Sequence, residues 1–232
     1  VDSLELDHSN WSEDFEEEFE RRRGYAVAPY LPFILDSERQ DEVVRRARYD
    51  YCLTVIELFD ERFSLPFVEW CERHGLESRM QAYGRETHPL HGSLRPSLPE
   101  GETWLWHDER DRPRVFVDST AVNKYVASAA RLDGQRTVSF EAMTNAVPVF
   151  RETLGDFKRA LDLTLQDGPN HAIIHGFNYT PSEAGFPGWV RFGSYLNERN
   201  PFWPVMPRFN DYAARLGVAL RNSDYQAQIA VL

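Results

Sequence analysis

Two glutamates far apart in the chain, Glu5 and Glu141, each stand at the end of a strand-like run. Other polar groups gather at comparable positions. Asp7 and His8 follow Glu5, Tyr83 and Arg85 follow a run at 78–82, and Asn145 follows Glu141. His175, Asn178 and Tyr179 follow a run at 171–175. Carboxyl groups brought together from the ends of different strands suit acid/base cleavage of a glycosidic bond. One protonates the leaving oxygen, and the other activates a water or attacks the sugar. The competing reading of each glutamate is a solvated or salt-bridged surface group.

The segment after 171–175 points the same way. His175-Gly176-Phe177-Asn178-Tyr179 continues through Pro181, Glu183, Gly185, Phe186, Pro187, Gly188 and Trp189. Long loops dense in glycine and aromatics are usually functional. Aromatic faces beside hydrogen-bonding groups suit sugars, which offer apolar C–H faces and polar rims. The candidate sugar contacts here are His175, Asn178, Tyr179, Glu183 and Trp189. The alternative for Phe186, Trp189 and Trp203 is that they simply cover the sheet as packing. No Cys-x-x-Cys or His-Glu-x-x-His is present, which argues against zinc. Asp2, Glu5, Asp7 and Asp50 could offer oxygens to calcium, although acids close in sequence are more often solvated.

These groups need elements to hold them, and the sequence alternates strand-like with helix-like segments. Strands are expected near residues 2, 78, 137, 171 and 227, the first four each followed by helix. A helix begins at Ser12 as N-cap, carries Glu16-Glu17-Glu18 in its first turns, and stops at Gly24 after Arg21-Arg22-Arg23. Helical spacing runs from Asp41 to His74 with a break near Pro66. Residues 84–113 read as a long loop with a short hairpin around Thr103-Trp104-Leu105-Trp106. Further helices are expected over 119–132, 150–165 and 205–222. The alternation predicts an α/β fold with about five parallel strands and crossover helices, the later part of a (β/α)8 TIM-type barrel. A five-stranded doubly wound sheet is the rival, weakened by the absence of a Gly-rich phosphate loop after any strand.

Composition sets the bounds. The 232 residues include 26 Lys+Arg and 37 Asp+Glu, a net charge of −11. That balance excludes a general nucleic-acid binder, which needs clustered cations. There is no apolar run of the ~18 residues that a membrane span would suggest. Cys52 and Cys71 read as two buried thiols. Residues 1–232 read as a single domain whose ends fall inside strands, hence as a piece of a longer protein with covalently continuous flanking domains.

The ordered set of motifs resembles glycoside hydrolase family 106, the α-L-rhamnosidases. The likeness lies in Asp2-Ser3-Leu4-Glu5, Asn10-Trp11, Phe15-Glu16-Glu17-Glu18-Phe19, Arg22-Arg23-Gly24-Tyr25 and Tyr30-Leu31-Pro32. It continues in Lys124 to Ala130, Glu141-Ala142-Met143-Thr144-Asn145, His175 to Tyr179, Glu183 to Trp189 and Ala227 to Leu232. Residues 84–117 do not take part.

The resemblance implies a large multidomain enzyme that releases terminal α-L-rhamnose from polysaccharides or glycosides, with inversion and with calcium. It places the catalytic carboxylates on Glu5 and Glu141, and further active-site acids on Asp2 and Asp50. Glu5 is then the expected acid and Glu141 the expected base, with the reverse assignment close behind. Asp2 and Glu5 are three residues apart, so a regular strand would turn them to opposite faces; Asp7-His8 departs from the family pattern. The calcium ligands are not indicated. A periplasmic or extracellular location follows by analogy alone. The rival functions are a retaining glycosidase of the β-galactosidase type and a carbohydrate-binding domain without catalysis.

Overall fold

The computed structural model of the chain describes residues 1, 11–34, 36, 38–83, 88–107, 113–115, 117–145, 150–189, 194–224 and 226. The strands expected near residues 2 and 227 therefore lie outside the described residues, as do Asp2, Glu5, Asp7, His8 and Arg85.

Among the described residues, the part before the first strand is helical. Helix α1 (Phe15–Arg23) ends where glycine was expected to end it, at Gly24 with φ 79°, a left-handed position at which Gly carries no Cβ penalty. Its start differs from expectation. Asp14, not Ser12, is the N-cap, and Ser12 Oγ instead donates to Asp14 Oδ1 at 2.8 Å. A short helix α2 (Leu31–Ile34) leads to α3 (Glu42–Phe59), capped by Asp41 Oδ1 accepting from the Val44 N–H at 3.1 Å. The break near Pro66 is a π-helical turn over Asp60–Ser64, after which α4 (Leu65–Arg73) carries Pro66 in its first turn, where no N–H is required. Phe15, Phe19, Val27, Ile34, Ala47, Val55 and Leu58 form a separate core between these helices.

The second half carries the sheet. Strand β1 (Arg79–Met80) is followed by α5 (Pro89–Gly92) and β2 (Leu98–His107). Then come β3 (Pro113–Val115), α6 (Val117–Leu132), β4 (Ser139–Asn145), α7 (Leu154–Asp167), β5 (His171–Ile174) and α8 (Met206–Arg221). The parallel path is β1-β2-β4-β5, with β3 antiparallel on β2. The α/β architecture with helical crossovers is as expected. Among the described residues, however, there are four parallel strands rather than five, and one of the four was not foreseen. Residues 98–107, read as loop and hairpin, are instead a central strand between β1 and β4. Pro99, Gly101 and two glutamates disguise it, since all three residue types are depleted in strands. Next to β1, Val1 O accepts from the Gln81 N–H at 3.1 Å and Val1 N donates to Arg79 O at 2.6 Å.

Alternation along β4 settles the two faces. Phe140 and Ala142 are fully buried with Phe157, Leu161, Met206 and Phe209 beneath α7 and α8. On β2, Gly101 and Thr103 face the same way. A Cβ at Gly101 would strike Asn123 of α6, and Thr103 Oγ1 bonds Thr164 of α7. Glu100, Glu102 and Glu141 consequently stand together on the opposite face. Among the described residues no helix is long and apolar enough to cross a membrane. Cys71 is buried and Cys52, against expectation, only half-buried.

Candidate active site

The centre of the non-helical face is Glu141. It lies beside Glu102 on β2 and Ile173 on β5 in the parallel register. Its carboxylate accepts from three sides. Gln81 Nε2 donates to Oε2 at 2.8 Å, Thr144 Oγ1 donates to Oε1 at 2.8 Å, and His175 Nδ1 lies 2.7 Å from Oε1. Thr144 Oγ1 is also 3.2 Å from His175 Nδ1. With 17% of its side-chain surface accessible, Glu141 is sheltered but reachable.

A local distortion makes this possible. Residues 141 and 144 would face opposite sides of a regular strand. The pairing with β2 shifts between Thr103 and Trp104, which leaves Met143 as an extra residue, at φ 69°. This bulge drops the Met143 side chain into the core and turns Thr144 back onto the Glu141 face. A left-handed non-glycine residue costs on the order of 1–2 kcal/mol, which the burial of Met143 offsets.

Three more groups complete the wall. Glu100, only 3% exposed, accepts from Gln81 Nε2 at 3.2 Å and has Arg79 Nε at 3.5 Å from its other oxygen. Burial pushes its carboxyl above the ordinary range, against the opposing pull of Ser139, Arg79 and Gln81. Tyr83 Oη donates to Glu102 Oε2 at 3.1 Å; burial first, then the charge of Glu102, raises its phenol strongly. Glu102 is positioned through its backbone. Asn123 Oδ1 accepts the Glu102 N–H at 3.0 Å, and Asn123 Nδ2 donates to Glu102 O at 2.9 Å. Gly101 leaves the space that Asn123 occupies.

The structure treats the residues singled out in the sequence unequally. It brings Glu141 and His175 into direct contact. Tyr179 and Trp189 lie on the following loop with 74% and 69% of their surface exposed, and Phe186 is 71% exposed. These rings do not cover the sheet as packing, although Phe186 stacks on Phe150. Trp203 does pack, on the core and edge-on to Phe177. Asn178 is a clamp within the loop, its Oδ1 accepting from Leu196 N at 3.0 Å. Glu183 is exposed and accepts from Ser182 Oγ. Asp50 belongs to the helical half. It takes the Tyr25 hydroxyl at 2.9 Å, and burial with this bond pushes the Tyr25 phenol up to about 12. Gln81, Glu100, Glu102 and Thr144 were not foreseen. The period-two spacing of Glu100 and Glu102 was the one available signal for two of them.

Calcium takes six to eight oxygens. Among the described residues no three His, Cys, Asp or Glu side chains are grouped to hold a metal, so no chemistry of this wall is assigned to one.

A parallel sheet whose open face carries acids, a histidine and an aromatic loop has the layout of an α/β glycoside hydrolase domain. The family model for alpha-L-rhamnosidase, glycoside hydrolase family 106, matches residues 1–232, and the chain belongs to that family. It is 26% identical over 234 residues to a "Putative beta-glucuronidase" of Formosa agariphila, covering 100% of this chain and 19% of that protein. The structure of a rhamnosidase from Novosphingobium sp. PP1Y shares its fold, with a TM-score of 0.73 and 24% identity. That match covers 95% of this chain and 21% of the other. The chain thus spans about a fifth of the length of each.

Proposed function

We propose that this chain is part of the catalytic barrel of a glycosidase that removes terminal α-L-rhamnose by inversion, with Glu141 as general base. The observation that carries the reading is the Glu141 carboxylate, which accepts donors from the residue after β1, from its own strand and from the residue after β5. A carboxylate has about four lone-pair sites. Thr144 and His175 occupy both on Oε1, whereas Gln81 takes one on Oε2. Among the described residues nothing takes the remaining site on Oε2, which can accept a proton from water. As that proton leaves, the water oxygen bonds to the anomeric carbon. The glycosidic C–O bond breaks, and the acid returns a proton to the leaving oxygen. Glu5 is the acid in this scheme, by the family resemblance, and Asp2 and Asp50 enter on the same ground. Calcium, from the resemblance alone, would hold sugar hydroxyls. By the same resemblance the chain supplies the later strands of that barrel, and further domains of the parent protein flank it.

The wall also bears on the sugar. Glu102 and Glu141 hold carboxyl groups on this face, and their charge would repel the carboxylate of a uronic acid brought to it. A neutral deoxysugar avoids that conflict, which favours rhamnose over the glucuronide suggested by the name of the Formosa relative. Tyr179 and Trp189 supply exposed faces for its apolar side.

Proton NMR of the first product formed by the full-length parent from aryl α-L-rhamnoside tests the reading. Immediate appearance of β-L-rhamnose is expected. Initial α-rhamnose would mean retention, and turnover of aryl β-glucuronide in its place would overturn the choice of sugar.

A further inference from the structure

We propose that Gln81 is the positioning residue of Glu141, its buried amide spanning Glu100 and Glu141 and so fixing which carboxylate oxygen meets the reacting water. This rests on Glu141 being the base.

The amide has two hydrogens on Nε2, and the two contacts account for both: 2.8 Å to Glu141 Oε2 and 3.2 Å to Glu100 Oε1. Gln81 is 1% exposed, and its main chain is pinned by the bond from its N–H to Val1 O. A buried amide costs stability unless its donors are satisfied. An apolar side chain of similar size would fill this position without that requirement, so the amide is tied to its two acidic partners. Glu100 is equally enclosed and cannot swing toward substrate. It serves as the fixed anchor that orients the amide.

Glu141 needs such a partner. The terminal torsion of a glutamate is broad and would let the carboxylate turn. Thr144 and His175 hold only Oε1. Among the described residues, Gln81 is the one that restrains Oε2. Among the described residues, the titratable and charged groups around this carboxylate are Arg79 on β1, Tyr83 just beyond it, Glu100 and Glu102 on β2, and His175 after β5. Of these, His175 touches it directly, on the other oxygen.

The test uses the full-length parent, assayed across pH on whichever aryl glycoside it hydrolyses. Gln81→Leu should lower kcat by roughly 10–100-fold with KM little changed, the cost of a misplaced reacting group. Loss of a donor to a carboxylate also moves the acidic limb of kcat/KM to higher pH. Should Gln81→Leu fail to fold, Gln81→Glu keeps the size and gives a second reading. Its rate should fall steeply with rising pH as the new carboxyl ionises between two others. A folded variant with unchanged kcat and an unchanged pH profile overturns the proposal. A Glu141→Ala variant with full activity overturns the base assignment first, and the positioning role with it. An inactive Glu141→Ala beside a normal Gln81→Leu removes the positioning role alone.

Discussion

Acid-rich clusters occur in both halves of this molecule, and they are built in opposite ways. In the helical half the carboxylates meet arginines. Arg22 reaches Glu18 at 3.0 Å, Glu57 at 3.1 Å and Glu61 at 2.6 Å, Arg23 reaches Glu57 at 2.5 Å, and Arg62 reaches Asp14 at 2.6 Å. Their arginine partners hold Asp14, Glu18 and Glu61 below the usual carboxylate range. Such a network ties α1 to α3 and the π-helical turn after it, and favours the charged form of Asp14, Glu18 and Glu61. On the sheet Glu102 and Glu141 meet an amide, a hydroxyl, a phenol and an imidazole; Glu100 has Arg79 at 3.5 Å as well, yet burial pushes it the other way. Acid count alone marks neither region as a site. What separates them is depth and the kind of donor: arginine neutralises a carboxylate, whereas neutral donors aim it.

Substitutions should separate the halves in order of effect. The largest loss falls at Glu141. Glu141→Ala should lower kcat by about 10²–10⁴-fold, the usual contribution of a general base. Glu57→Gln in the arginine network should leave kcat alone and lower stability by about 1 kcal/mol or less, seen as a small fall in melting temperature. Thr144→Val comes next on the sheet. It removes one donor to Oε1 and should reduce kcat roughly tenfold, in line with a lost charge-assisted hydrogen bond of about 1.5 kcal/mol. Trp189→Ala, on the exposed loop, should raise KM several-fold with kcat and melting temperature nearly constant.

The smallest effect is one of pH. Glu100 binds its proton more tightly folded than unfolded, so the native state carries more protons above the ordinary carboxylate range. Stability then falls as pH rises from that range through the raised folded value, and the penalty is absent below it. Glu100→Gln should therefore raise the melting temperature at pH 7 and leave it unchanged near pH 4. The reverse pattern would show that Glu100 behaves like the arginine-paired acids.

Much of this was legible in the sequence because local signals carried it. Gly24 ended its helix and Asp41 began another, and β4, α7, β5 and α8 lie close to where their patterns put them. Glu141 and His175 were visible because apolar strands lead to them. What was hidden depends on distant partners. Strand β2 has Pro99 and Gly101 in it, and it is held by its neighbours β1 and β4 rather than by propensity. Thr144 joins Glu141 only through the bulge at Met143, which no spacing announces. Gln81 matters because parallel pairing sets it between two glutamates. Asp50, by contrast, was visible as an acid, yet its partner Tyr25 places it in the helical half.

Azide added to Glu141→Ala of the full-length parent, with an aryl α-L-rhamnoside carrying a reactive leaving group, tests the role of Glu141 most directly. A base removed from the water's side of the sugar leaves room for the anion there. Restored turnover with formation of β-L-rhamnosyl azide is the expected result. Turnover that needs no azide and depends only on the leaving group would contradict it and make Glu141 the acid.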